Sequence, residues 1–225
     1  MVLIYFFSQF TFNGLFFCLT AKKISANSEQ EQETISYGKH LTAIDILSNI
    51  TAYLDKILVF HFLGPIDLAV YSFATAPPEQ IKGFLKNIEP LALPKLSTKS
   101  KEEIKKTILP KSIKFGLIVA VGVVIYIFLA PFFYNIFFPQ YTDSIFYSQI
   151  FAISLIGVIG TPIHIALQSQ MAKKQLYQFN IYASLIQVAL MIFLLYFYGL
   201  LGLILARVST RLISVGILSY LIKKI

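Results

Sequence analysis

Residues 41–96 read LTAIDILSNITAYLDKILVFHFLGPIDLAVYSFATAPPEQIKGFLKNIEPLALPKL. Two long apolar segments meet at Gly64-Pro65, so we expect a helical hairpin with its turn there. Because a charge inside a bilayer is costly, charged residues in such segments usually face a bundle interior or a water-filled cavity. The two segments contain Asp45, Asp55, Lys56, Glu79, Lys82, Lys86 and Glu89.

The composition is that of an integral membrane protein. Hydrophobic residues make up 56% of the 225-residue chain and charged residues 13%, and the mean hydropathy is +0.71. Soluble domains carry about 25% charged residues. Several apolar runs are longer than the roughly 18 residues that cross a hydrocarbon core. We therefore expect an all-α, polytopic membrane helix bundle and exclude a large soluble domain.

Several other classes of site are disfavoured. The single cysteine, Cys18, lies in an apolar run, which excludes a disulfide framework and predicts a small buried apolar residue rather than a catalytic thiol. His40, His61 and His164 are far apart in sequence, so we expect no metal site, and no cofactor is implied. The net charge of +8 comes mostly from lysines in short loops at membrane ends, where topology explains them better than nucleic-acid binding does.

The hydropathy pattern predicts about seven membrane helices. We place them at 2–20, 41–63, 66–94, 115–138, 145–168, 176–198 and 200–222. Pro77-Pro78 falls inside the third helix and predicts a kink or break there. In the fifth helix, Gly157, Gly160 and Pro162 allow close packing or a bend.

Two polar segments interrupt the apolar spans, one between the first and second spans and one between the third and fourth. Residues 22–40 are expected to form a cytoplasmic loop, with or without a short surface helix. Residues 95–114 are the most basic stretch and are expected to form a cytoplasmic loop that sets the topology. An alternative is that residues 103–114 lie on the membrane surface and contact anionic lipids.

The loop charges predict the orientation. Placing Lys22-Lys23 in the cytoplasm also puts the loops 95–114 and 169–175 and the C-terminus there. These cytoplasmic segments contain nearly all of the loop lysines. The segments on the outer side contain no lysine or arginine. They are Met1, Gly64-Pro65, residues 139–144 and Gly199. This is the positive-inside pattern of a multi-pass protein of the cytoplasmic membrane.

Charged residues of three spans are expected to meet at mid-membrane depth. Glu79, Lys82, Lys86 and Glu89 follow one another at steps of three, four and three, which places them on one helix face. We place Asp55 at about the depth of Lys82. In the seventh span, an i,i+4 step puts Arg207 and Arg211 on one face.

Two interpretations of these charges remain open. In the first, they form buried ion pairs that hold helices in place, for example Asp55–Lys82 and Glu89–Lys86. In the second, they line a polar cavity whose lysines and arginines bind an anionic head group, since arginine is suited to bidentate phosphate contact.

The same stretch resembles the second half of bacterial polysaccharide flippases, which belong to the multidrug/oligosaccharidyl-lipid/polysaccharide exporter superfamily. In that family, the first helix of the C-terminal lobe carries an Asp before a hydrophobic run closing in Leu-Gly. The next helix carries a Tyr-Ser-x-Ala-like stretch and ends in a Leu-Pro-x-Leu-like motif before a basic loop. The matching residues are Asp55, Leu63-Gly64, Tyr71-Ser72-Phe73-Ala74 and Leu93-Pro94-Lys95-Leu96. The resemblance covers residues 41–222, six of the seven spans.

The resemblance implies one six-helix lobe of a MATE-like transporter with two lobes around a central cavity. Residues 1–21 would be the last helix of a missing N-terminal lobe, 22–40 the inter-lobe loop, and 41–225 the C-terminal lobe. The chain would then be a fragment, a split gene product or a half-transporter whose partner is an N-terminal lobe or second subunit. Its substrate would be a lipid-linked saccharide diphosphate, flipped across the membrane by alternating access for polysaccharide biosynthesis.

Carried over to this chain, the head-group contacts would be Lys82, Lys86, Arg207 and Arg211. A cation-coupled multidrug exporter of the same superfamily is the alternative transporter, with Asp55 or Glu79 as its acidic coupling residue. A non-transporting membrane scaffold is a further alternative. An enzyme is disfavoured, because the sequence places no His-Asp pair and no paired carboxylates in a loop at a membrane face.

Overall fold

The computed structural model describes residues 2–23, 32–87 and 89–224. Within these ranges the chain is helical and contains no β-strand. It forms two compact units, Met1–Lys39 and His40–Ile225. In the first unit, α1 (Val2–Lys23) carries the exposed Cys18, so the prediction that this cysteine is buried was wrong.

The remaining helices follow in chain order and build the candidate site. They are α2 (Gln32–Phe62), α3 (Pro65–Lys86), α4 (Glu89–Ser97), α5 (Lys101–Phe137), α6 (Ser144–Ala152), α7 (Gly160–Ser169) and α8 (Lys173–Leu221). Short 3-10 segments occupy Pro139–Tyr141, Ile153–Ile159 and Ile222–Lys224.

Three helical ranges within the described residues are long and apolar enough to cross a membrane. These are Lys101–Phe137, Ser144–Ser169 and Lys173–Lys224, and they cover the last four predicted spans except residue 138. The fold is thus all-α with candidate membrane-spanning helices. The total of seven spans stays a prediction.

The range assigned to α8 is a helical hairpin rather than one rod. Gly199 has φ 56° and ψ −135°, a left-handed conformation that favours glycine and interrupts the helix. A Cβ at Gly202 would clash with the carbonyl oxygen of Leu194, which in a straight helix would lie about 12 Å away along the axis. At the far ends of the two arms, the Gln175 side chain donates a hydrogen bond to the Lys224 carbonyl oxygen at 3.4 Å. The predicted turn at Gly199 is therefore confirmed.

The basic stretch 95–114 differs from its prediction as a loop. Apart from the turn at residues 98–100, it belongs to helices, because α5 begins at Lys101 and runs without a break into the fourth predicted span. The side chain of Ser100 caps this helix by accepting a hydrogen bond from the backbone N–H of Glu103 at 3.3 Å. With 37 residues, α5 is about 55 Å long, well beyond the roughly 30 Å thickness of a hydrocarbon core.

The first hairpin also differs from its prediction. Its first helix begins earlier, and its second helix ends at a different residue. Residues 32–40, predicted as part of a loop, belong to α2, and residues 24–31 lie outside the described residues. Pro77-Pro78 lies inside α3 without ending it. The helix ends instead at Lys86, where the backbone N–H of Asn87 caps the last turn.

Glycines allow the closest contacts between helices. A Cβ at Gly157 would lie 2.9 Å from the Cβ of Arg211, and one at Gly160 would lie 2.9 Å from Leu218. The predicted close packing of the fifth span is therefore confirmed, and its partner is the C-terminal arm of α8. A core that includes Val59, Tyr71, Phe151, Met191 and Leu203 joins α2, α3, α6 and α8.

The loops of the second unit gather at two opposite ends. At one end, the Gln170 side chain donates a hydrogen bond to the Lys99 carbonyl oxygen at 3.2 Å, close to the Gln175–Lys224 contact. At the other end, Asp67, Thr142 and Leu200 line one surface depression. Loops that the charge pattern assigns to the same membrane side therefore lie at the same end of the bundle.

Candidate functional site

The buried carboxylate of Asp55 is the innermost member of the site. Asp55 lies nine residues before Gly64 and Tyr71 seven residues after it, so the hairpin brings them to similar depths. The Tyr71 hydroxyl donates a hydrogen bond of 2.6 Å to Oδ2 of Asp55. The backbone N–H of Lys56 donates to Oδ1 at 2.7 Å. Asp55 is 2% exposed, so these contacts and one ion pair replace water around it.

Arg207 supplies that ion pair from the C-terminal arm of α8. Its Nη2 lies 3.4 Å from Oδ2 of Asp55 and 3.4 Å from Oε1 of Glu79. One guanidinium therefore bridges a carboxylate of α2 and a carboxylate of α3. Breaking such a buried pair is strongly destabilising, because it leaves an uncompensated charge.

Arg211 lies one helical turn further along the same face of α8. Its Nη2 donates a hydrogen bond to Oε1 of Glu79, and its Nη1 donates to the Ser154 hydroxyl oxygen at 2.7 Å. The guanidinium carbon also lies 5.0 Å from the centroid of the Phe151 ring, within the range of a cation–π contact. Arg211 thereby ties α8 to α3, α6 and the 3-10 segment that follows α6.

The two lysines of α3 extend the positive charge beyond the arginines. The Nζ of Lys82 lies 3.7 Å from Oε2 of Glu79, one turn earlier on the same helix. Lys86, one turn later, is exposed and makes no ion pair among the side chains that the structure describes. The side chain of Glu89, its predicted partner, lies outside that part.

A polar cavity of about 490 Å³ adjoins this network. Lys82, Lys86 and Arg211 contribute positive charge to its wall. Hydroxyl and amide side chains from α2, α7 and both arms of α8 line much of the rest, beside apolar residues such as Phe179 and Leu218. The hydroxyl and amide side chains include Thr51, Thr161, Asn180, Ser184, Gln187 and Ser214.

The charges of the site do not balance. Asp55 and Glu79 face three paired cations, and Lys86 adds a fourth positive charge at the cavity. Asp55 is buried and does not line the cavity, so its charge offsets Arg207 rather than the cavity wall. The cavity therefore combines net positive charge with many hydrogen-bonding groups, which suits an anionic, hydroxylated ligand.

The structure brings the six predicted site residues together. Asp55, Glu79, Lys82, Arg207 and Arg211 form one network, and Lys86 lies at the cavity beside Lys82. Both open interpretations thus describe part of the site: ion pairs hold helices in place, and a polar cavity is present.

The predicted pair Asp55–Lys82 was wrong. Counted from Gly64, Asp55 lies nine residues away and Lys82 eighteen, so their depths differ by about 13 Å. Arg207 lies eight residues from Gly199 at the same end of the bundle, which matches the depth of Asp55. Glu79, Lys82 and Lys86 share a face as predicted, but Glu89 begins α4 beyond the break at residue 87.

Three contributors to the network were not predicted. The first is Tyr71, and its depth, which is similar to that of Asp55 across the hairpin turn, was a usable signal for this contact. Ser154 and Phe151, which contact Arg211, had no such signal, because serine and phenylalanine are ordinary residues in an apolar helix. Among the described residues, no group of three His, Cys, Asp or Glu side chains could hold a metal ion.

Comparison of the chain with protein-family models, with curated proteins and with solved structures gave no match.

Proposed function

We propose that the chain is a membrane transporter that flips a lipid-linked saccharide diphosphate across the cytoplasmic membrane by alternating access. The observation that carries this proposal is the polar cavity walled by Lys82, Lys86 and Arg211 inside a helical, apolar chain. A phosphate-bearing group is the ligand for which such a cationic wall provides charge-assisted hydrogen bonds.

The rest of the cavity suits the saccharide. Hydroxyl groups of a sugar need donors and acceptors to replace water, and the amides of Asn180 and Gln187 and the hydroxyls of Thr161 and Ser184 provide both. The predicted resemblance to polysaccharide flippases points to the same ligand class. Polysaccharide biosynthesis at the cell envelope is the process that would use this activity.

The architecture that goes with this function has two lobes. We propose that the six predicted spans after residue 40 form one lobe and that the partner is an N-terminal lobe or second subunit. In the orientation indicated by the lysines, the end with Lys99 and Lys224 faces the cytoplasm. The end with Asp67 and Leu200 then faces outward, and membrane lipids surround the apolar helix faces.

Export of surface polysaccharide in cells tests the proposal. In cells that lack the native chain, the intact chain should restore export and the double variant Lys82→Ala/Lys86→Ala should not. The control variant Lys101→Ala/Lys106→Ala removes two exposed lysines at the start of α5 and should export normally. Full export by the cavity variant would refute the head-group assignment.

The same cells separate the alternative transporter. A cation-coupled multidrug exporter would change resistance to cationic dyes instead of surface polysaccharide. Loss of dye resistance in the Glu79→Gln variant, with unchanged polysaccharide, would favour that alternative.

A further inference from the structure

Glu79 holds Arg211 and Lys82, two of its three cationic partners, in the way a small bound anion would. One carboxylate oxygen, Oε1, accepts the hydrogen bond from Arg211, and the other, Oε2, lies 3.7 Å from Nζ of Lys82. Arg211 and Lys82 both line the cavity. The carboxylate of Glu79 therefore bridges Arg211 and Lys82, as two oxygens of a phosphate group would.

The two acidic residues of the network differ in their exposure. The Asp55 side chain is 3% exposed and is held by a tyrosine hydroxyl, a backbone N–H and Arg207. The Glu79 side chain is 33% exposed, and cations are its only partners among the described residues. Glu79 can thus leave its cations without abandoning a neutral hydrogen-bond donor.

The two arginines differ in the counter-ions that remain to them without Glu79. If Glu79 moves away, Arg207 keeps Asp55 as its counter-ion. Among the side chains that the structure describes, Arg211 keeps the Ser154 hydroxyl and the Phe151 ring, neither of which is an anion. A departure of Glu79 therefore exposes a positive site at Arg211 and Lys82 and leaves Arg207 neutralised.

We propose that Glu79 is the resident counter-ion of an anion site formed by Arg211 and Lys82, and that a phosphate-bearing ligand binds there by displacing its carboxylate. This inference rests on the proposed function and names a residue that sets its specificity. An incoming anion must compete with a carboxylate of charge −1. A diphosphate, with more charge and more oxygens, displaces it better than a monoanion does.

Binding of inorganic pyrophosphate to the purified chain in lipid nanodiscs tests the inference by calorimetry. The Glu79→Gln variant lacks the competing charge, so it should bind pyrophosphate about tenfold more tightly than the native chain. The control Glu102→Gln removes an exposed carboxylate at the start of α5 and should leave the affinity unchanged. The Glu79→Asp variant, whose carboxylate is one methylene shorter, should show intermediate affinity and covers the case in which Glu79→Gln does not fold.

The outcomes separate this inference from the proposed function. Pyrophosphate binding by the native chain with equal or weaker binding by both Glu79 variants would overturn the inference and leave the anionic ligand class intact. That result would mean that Glu79 only holds α3 to α8. Absence of binding in every variant would overturn both proposals. Binding by Glu79→Gln alone would support the inference, with Glu79 blocking the site in the native chain.

Discussion

The Tyr71 hydroxyl donates a hydrogen bond of 2.6 Å to the carboxylate of Asp55 across the hairpin of α2 and α3. The same carboxylate is paired with Arg207 of α8, so three helices meet at one buried negative charge. This contact holds the hairpin against the C-terminal arm of α8. It also places Glu79, two turns further along α3, within reach of Arg211.

Removal of the hydroxyl in Tyr71→Phe should destabilise the protein. A hydrogen bond to a charged group contributes about 1.5–3 kcal/mol, and the Asp55 oxygen that loses it stays buried. Thermal unfolding in detergent should show a melting temperature several degrees lower. The matched control is Tyr53→Phe on the exposed face of α2, which should unfold at the native temperature. Equal unfolding temperatures for the native chain and Tyr71→Phe would contradict the assigned hydrogen bond.

The pair of Asp55 and Arg207 should show strong coupling. Arg207→Ala leaves a buried carboxylate without its cation and should cost about 3–5 kcal/mol of unfolding free energy. The added change Asp55→Asn removes that carboxylate and should recover part of the loss. A double-mutant cycle on detergent-solubilised protein measures the coupling energy.

A coupling energy near zero in that cycle would show that the two side chains are independent. Arg211→Ala serves as the comparison, because its acidic partner Glu79 is partly exposed and also paired with Lys82. It should destabilise the protein less than Arg207→Ala does.

Hairpins could be predicted from the sequence, because their turns depend on local residues. Gly64-Pro65 and Gly199 interrupt apolar runs, and both lie at turns in the structure. The start of α5 had a local signal as well, since Ser100 and Glu103 match a capping box before an apolar run. The abundance of lysines there favoured a loop, and that prediction was wrong because charged residues on one face do not prevent a helix.

The partners within the charged network were harder to predict. Candidate residues could be chosen because charges at mid-span depth are rare. Their pairing depends on distances between helices that are far apart in sequence, such as Asp55 and Arg207. Membrane depth counted in residues from the turns predicts the pair Asp55–Arg207. Depth counted from the assumed ends of the spans predicts Asp55–Lys82 instead, which was wrong.

The turn of α8 provides a prediction about packing. A methyl group at Gly202 would clash with the Leu194 carbonyl oxygen, so Gly202→Ala should cost about 1–3 kcal/mol or more. Gly216→Ala on the same arm meets no atom within 4 Å, and it should be neutral or slightly stabilising, since alanine favours helix. Melting temperatures of the two variants test this difference, and similar losses in both would argue against a tight hairpin.

The orientation of the bundle can be measured by cysteine labelling. After Cys18→Ser, single cysteines replace Lys99 at one end of the bundle and Asp143 at the other. A membrane-impermeant maleimide should label Asp143→Cys in intact cells, because that end is predicted to face outward. Lys99→Cys should react only after the cells are permeabilised. The reverse labelling pattern would invert the proposed topology.

Transfer of a fluorescent lipid-linked disaccharide diphosphate across the membrane of native vesicles measures the proposed flippase activity itself. Vesicles from cells that contain the chain should transfer the lipid faster than vesicles from cells that lack it. The Lys82→Ala/Lys86→Ala variant should lose the increase, because a diphosphate would then lack two of the cations at the cavity. Transfer at the same rate with and without the chain would refute the flippase activity, and transfer at the native rate with this variant would refute the role of the two lysines.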